Sequence, residues 1–208
     1  MSAPALSPRL LSARIIAMFP RTIEGSLIAP IEVMAQEGIP VVALPAARID
    51  LLRDVVAVFS GRVEFAVHDV DDADQLTAAV DAGATLVMLR RPDATLIETA
   101  IDREVPVLAP ALTPTEVRAV WNLGVTGVLV TPVDAFGGNY HERLPEAVPD
   151  AVLVPSSGLG AYTSGRWLDA GAAAVCLDEA LVGDAAEGGS LNNLRERCQA
   201  FARSVDRH

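Results

Sequence analysis

Lysine is missing from this chain. The 208 residues carry 16 basic side chains, every one an arginine, against 27 acidic ones, for a net charge of -11. The absence excludes mechanisms that need that amine: Schiff-base catalysis on a lysine and the lysine of a phosphate-gripping P-loop. A GC-rich coding sequence would also produce arginine in place of lysine. Basic clusters are scarce as well. Apart from Arg90 and Arg91, and a sparse set from Arg195 to Arg207, the arginines are scattered. No nucleic-acid partner is expected, because a phosphate backbone needs a basic face. The acidic balance likewise disfavours anionic membranes. Long apolar runs are absent: Ala172–Leu177 falls far short of the roughly 20 residues of a membrane span. Residues Met1–Pro8 show no basic start followed by an apolar stretch, so no signal peptide is read and a cytoplasmic location is expected. The two cysteines, Cys176 and Cys198, have no ligand-like spacing and are read as reduced thiols.

What is present is a repeated unit. Short runs rich in Val, Ile, Leu and Ala occur at Arg14–Phe19, Pro40–Pro45, Val63–His68, Thr85–Arg90, Pro106–Pro110, Gly127–Pro132, Ala151–Pro155 and Ala172–Leu177. They do not alternate with polar residues, which marks parallel strands covered on both faces. Helical patterns lie between them, for example Ser26–Gln36 and Asp72–Ala82. Thr113, Pro114 and Glu116 read as N-cap, first helical residue and capping-box partner. Gly38, Gly83, Gly124 and Gly171 each stand where a helix ends before the next strand.

Eight such units predict an α/β fold, a (β/α)8 TIM barrel with a short N-terminal capping helix. The rival is a Rossmann or flavodoxin-like sheet. That fold usually carries a glycine-rich turn after its first strand, whereas the turn here is Phe19-Pro20-Arg21-Thr22. One barrel domain is expected over residues 1–208, with 1–13 as cap and 183–208 as a polar hinge (Gly183–Gly189) followed by a closing helix (Leu191–Val205).

Several segments carry a resemblance. Pro110-Ala111-Leu112-Thr113-Pro114-Thr115-Glu116-Val117 is the most specific. Asp74-Gln75 with Ala78–Ala84, Leu123–Pro132 with Gly137-Gly138, and Val154–Leu159 follow in order at near-constant spacing. Together they resemble the 2-keto-3-deoxy-6-phosphogluconate / 4-hydroxy-2-oxoglutarate aldolase family over roughly Arg14 to Val182. Membership would imply a barrel, usually a homotrimer, that cleaves a 2-keto acid through a lysine Schiff base. The departures fall on the working residues. The strand-six lysine position is Leu129 and the strand-two general acid/base glutamate position is Ala43. The strand-one arginine matches Pro20, with Arg21 next to it. The strand-eight phosphate cradle reads Cys176-Leu177-Asp178-Glu179, whose carboxylates would repel a dianion.

A barrel places its chemistry at the C-terminal ends of its strands. Those ends offer Arg21, Arg48 and Arg90 as carboxylate-binding candidates, with Thr113, Thr131, Ser156 and Ser157 as polar partners. His68 reads as a general base, as half of a metal site, or as a polar loop start. Asp69, its neighbour, is expected to point to the opposite face. Asp178 and Glu179 read as metal ligands or as helix N-terminal acids. Cys176 reads as a nucleophile or as buried core. No cofactor and no assigned metal are expected. Two functions follow: an aldolase-like barrel without aldolase chemistry, binding a small carboxylate or keto acid or serving as a scaffold; or an enzyme acting on an unphosphorylated 2-keto acid through Arg, His68 or a metal.

Overall fold

The computed structural model describes residues 3–205; positions 1–2 of the expected cap and 206–208 of the expected tail, His208 included, lie outside the described residues. The chain starts with helix α1 (Pro8–Ala13), where Ser7 caps the Leu10 amide and Pro8 opens the first turn. Then follow β1 (Ile15–Met18), α2 (Ile28–Gln36), β2 (Val41–Pro45), α3 (Ile49–Phe59), β3 (Glu64–Val70) and α4 (Ala73–Asp81). The middle of the chain forms β4 (Leu86–Leu89), α5 (Ala94–Asp102), β5 (Val107–Ala111), α6 (Pro114–Trp121), β6 (Gly127–Val130) and α7 (Tyr140–Ala147). It ends with β7 (Leu153–Pro155), α8 (Ala161–Asp169), β8 (Val175–Leu177), α9 (Glu179–Val182) and α10 (Leu191–Val205).

All paired strands run parallel, in the order β7-β6-β5-β4-β3-β2-β1-β8. The ring closes between β7 and β8 through a thin seam: the Ala173 amide donates to the Leu153 carbonyl at 2.9 Å, and Ser156 and Cys176 form a single parallel bridge. A closed ring excludes the open-sheet rival. Alternating side chains then sort into two cores. Ile16, Ala43, Ala66, Met88, Leu108, Leu129, Val154 and Cys176 fill the interior. Their neighbours, such as Ala17, Val42, Val67 and Val128, pack under the helices. Leu6 and Leu10 join the interior cluster, so α1 stoppers the barrel at its N-terminal end. Thr113 and Glu116 complete the capping box of α6, as their spacing predicts.

The segment expected to be a polar hinge is instead a 3-10 turn over Gly183–Glu187. Ala185 and Ala186 are buried, and the Ala186 carbonyl accepts from the Glu24 and Gly25 amides. Apolar burial and backbone pairing outweigh the loop-like composition there.

Candidate ligand-binding site

The C-terminal end of the barrel holds a cavity of about 310 Å³. Its floor is apolar, formed by Met18, Met88, Pro110 and Leu129, and its rim carries Arg21, His68, Asp69, Arg90, Thr131, Ser156 and Ser157. The floor residues follow from parity, since each is an inward residue near the end of its strand. Leu129 is buried in the interior cluster while its outer face meets the cavity. Ala43 is fully buried, and its carbonyl accepts the Phe19 amide at 2.9 Å.

The expected opposite facing of His68 and Asp69 is overturned. The register between β3 and β4 shifts between Val67 and Val70, and Asp69 takes a left-handed backbone with φ of 61°. That irregularity breaks the alternation, as a bulge does, and both side chains line the cavity. His68 Nδ1 lies 3.4 Å from Asp69 Oδ2. His68 is also buried and inside β3, not at a loop start. Its Nε2 is 2.8 Å from the Phe19 carbonyl oxygen. A carbonyl only accepts, so Nε2 carries a proton. Nε2 is thus taken by the Phe19 carbonyl, and Nδ1 faces the Asp69 carboxylate.

Asp69 Oδ2 also accepts from Arg21 Nε at 2.6 Å. The His68 ring and then the Arg21 guanidinium hold the Asp69 carboxyl far below the usual carboxylate range, against the opposing effect of burial. Arg90 stands beside this pair, with Nε 4.0 Å from Asp69 Oδ1 and Nη1 3.9 Å from Asp71 Oδ2. Arg91 hydrogen-bonds Asp71. Across the mouth, Thr131 Oγ1 donates to Ser157 Oγ at 3.4 Å. Ser157 is itself left-handed, with φ of 68°, and leads into the left-handed Gly158.

Two of the ligand-binding candidates do not line the cavity. Arg48 ends a 3-10 turn after β2, where it donates to the Ile23 carbonyl at 2.9 Å and pairs with Asp50. Thr113 caps the Glu116 amide. Each side chain is held by a backbone group away from the cavity. Asp178 and Glu179 occupy the N-cap and first turn of α9. Among the described residues, no group of three or more His, Cys, Asp or Glu is placed to hold a metal ion. Cys176 is fully buried, and burial pushes its thiol up to about 12. No helix among the described residues is long and apolar enough to cross a membrane. Sequence reasoning missed Met18, Met88 and Asp71. Carrying the inward parity of Leu129 around the ring finds the methionines, and the acidic run Asp69, Asp71, Asp72 marks the third.

No family profile and no curated protein sequence matches the chain. The likeness is structural. A structure described as native KDPGal superposes with a TM-score of 0.83 at 20% identity, covering 100% of this chain and 98% of the other. A 4-hydroxy-2-oxoglutarate / 2-dehydro-3-deoxyphosphogluconate aldolase gives a TM-score of 0.81 at 21% identity, covering 97% of this chain and 100% of the other. The Legionella pneumophila 2-keto-3-deoxy-6-phosphogluconate aldolase, captured with pyruvate as a covalent carbinolamine, gives 0.77 at 18% identity over 94% of this chain and 98% of the other. Over nearly its whole length, the chain has the (β/α)8 barrel fold of these keto-acid aldolases.

Proposed function

We propose that this barrel binds a small organic carboxylate at its mouth and forms no covalent adduct with it. The lining of the cavity carries the reading. It offers two arginines and three hydroxyls, but no amine and no carboxyl raised toward neutral pH. The resemblance would put a lysine at Leu129 and a glutamate at Ala43, and neither replacement can attack a carbonyl or move a proton. His68 does not fill the gap, because its two nitrogens face Phe19 and Asp69. The low-lying Asp69 carboxylate is a poor proton acceptor. What remains is recognition: guanidinium and hydroxyl donors above an apolar floor, a common make-up for a small-molecule pocket. A homotrimer is the assembly that the resemblance favours, and light scattering at several protein concentrations tests it.

Borohydride reduction in the presence of pyruvate tests the chemistry. The intact mass is expected to stay unchanged, whereas a reduced adduct would sink the proposal. Thermal shift with pyruvate, 2-ketoglutarate and gluconate derivatives tests the binding. An increase with an unphosphorylated acid is expected, and no response to any acid counts against the reading.

A further inference from the structure

A row of alternating charges begins on the rim of the cavity with Arg21, Asp69 and Arg90 and continues beside it with Asp71 and Arg91. The members are not equally occupied. Arg21 donates to Asp69 at 2.6 Å, and Arg91 hydrogen-bonds Asp71. Arg90 sits between the two carboxylates at 4.0 and 3.9 Å, beyond hydrogen-bonding reach of either. Its side chain is 45% exposed and lines the cavity. Three guanidinium groups face two carboxylates, and Arg90 is the one of the three that hydrogen-bonds neither.

We infer that Arg90 is the anchor of the site, and that the ligand it selects is a monocarboxylate with an apolar body. This rests on the proposed carboxylate-binding function. Arg90 needs only a small swing to present its fork to a carboxylate at the mouth, and bidentate pairing is what the guanidinium does best. The body of the ligand then lies on Met18, Met88 and Leu129. Thioether side chains adapt to varied apolar shapes, which suits branched or aromatic acids. A second negative charge on the ligand would meet only guanidinium groups already hydrogen-bonded to a carboxylate. It would face Asp69 or Asp71, so the same row that offers one charge rejects two. Arg21 acts as a positioning residue: it holds Asp69 in place and leaves Arg90 to the ligand.

Calorimetry with isovalerate, benzoate and glutarate tests this on the wild type and on Arg90→Gln, Arg21→Gln and Asp71→Asn. The monoanions are expected to bind at least about tenfold tighter than glutarate. Arg90→Gln should weaken benzoate by about tenfold or more, and Arg21→Gln by clearly less. Asp71→Asn removes a negative charge beside the rim and should narrow the preference for monoanions. A circular-dichroism melt of each variant separates lost binding from lost folding. Equal binding by Arg90→Gln and wild type, loss confined to Arg21→Gln, or glutarate preferred over benzoate would each overturn the assignment while leaving carboxylate binding intact. Failure of every acid to bind the wild type would remove the underlying function as well.

Discussion

His68 Nδ1 and Asp69 Oδ2 lie 3.4 Å apart, although the two residues are consecutive in a strand. A regular strand sends such neighbours to opposite faces. Here the left-handed backbone of Asp69 brings the second side chain back to the cavity. The pair has a thermodynamic consequence. The Asp69 carboxyl is held down in the folded protein by His68 and Arg21. In the unfolded chain it titrates near its ordinary value of about 3.9. The ion pairing is therefore fully present above that value, and it is lost as pH falls through the folded carboxyl's own lower range. Asp69→Asn should show a shallower acid limb than the wild type below about pH 4. Urea unfolding across pH 2 to 7 measures it, and identical pH profiles for the two proteins would contradict the pairing.

Burial pushes the Cys176 thiol up to about 12 and the Cys198 thiol up to about 11. Neither forms appreciable thiolate at pH 8, and both side chains are inaccessible. The native protein should leave Ellman's reagent colourless over minutes, and two thiols per chain should appear once it is unfolded in guanidinium. A rapid native reaction of either cysteine would show that its enclosure opens readily.

Thr113 divides stability from binding. It closes the capping box of α6 but does not line the cavity. Thr113→Ala should cost about 1 kcal/mol of unfolding free energy. Its affinity for a monocarboxylate should match that of the wild type. A large loss of affinity without a loss of stability would put Thr113 back at the site.

Gly158 has no room for a side chain. A Cβ there would stand 2.5 Å from the Cβ of Asp134, on a backbone with φ of 71°. Both faults act together in Gly158→Ala, which should lose roughly 1 to 3 kcal/mol. Denaturant unfolding measures it. Because the loop carries Ser156 and Ser157, the same variant should also weaken ligand binding.

The fold was legible because its strands are buried on both faces. Continuous apolar runs and recurrent terminal glycines mark such strands without any long-range information. Leu191–Val205 forms α10 with the bounds its periodicity predicts. The site was less legible, for local reasons. Nothing in the sequence announces that a non-glycine residue will turn left-handed inside β3, and that single choice reorients Asp69. Aspartate is among the few residues that tolerate the conformation. Arg48 fails for a different reason: the strand end was read well enough, but the Ile23 carbonyl captures its guanidinium first. Leu129 and Ala43 needed the resemblance before they carried meaning, since an apolar residue on an inward strand position is otherwise unremarked.

The seam between β7 and β8 gives the two sides of the mouth different mechanical footing. His68 stands on β3, which pairs with β2 through five consecutive partners from Val41 and Glu64 to Pro45 and His68. Ser156 and Ser157 follow β7, whose link to β8 is one bridge and one further hydrogen bond. Outward breathing of the barrel is therefore expected first at the β7–β8 seam, beneath Ser156 and Ser157. Amide exchange should begin at Ala173 and its neighbours, and acids of different girth would be admitted by displacement of that one stave.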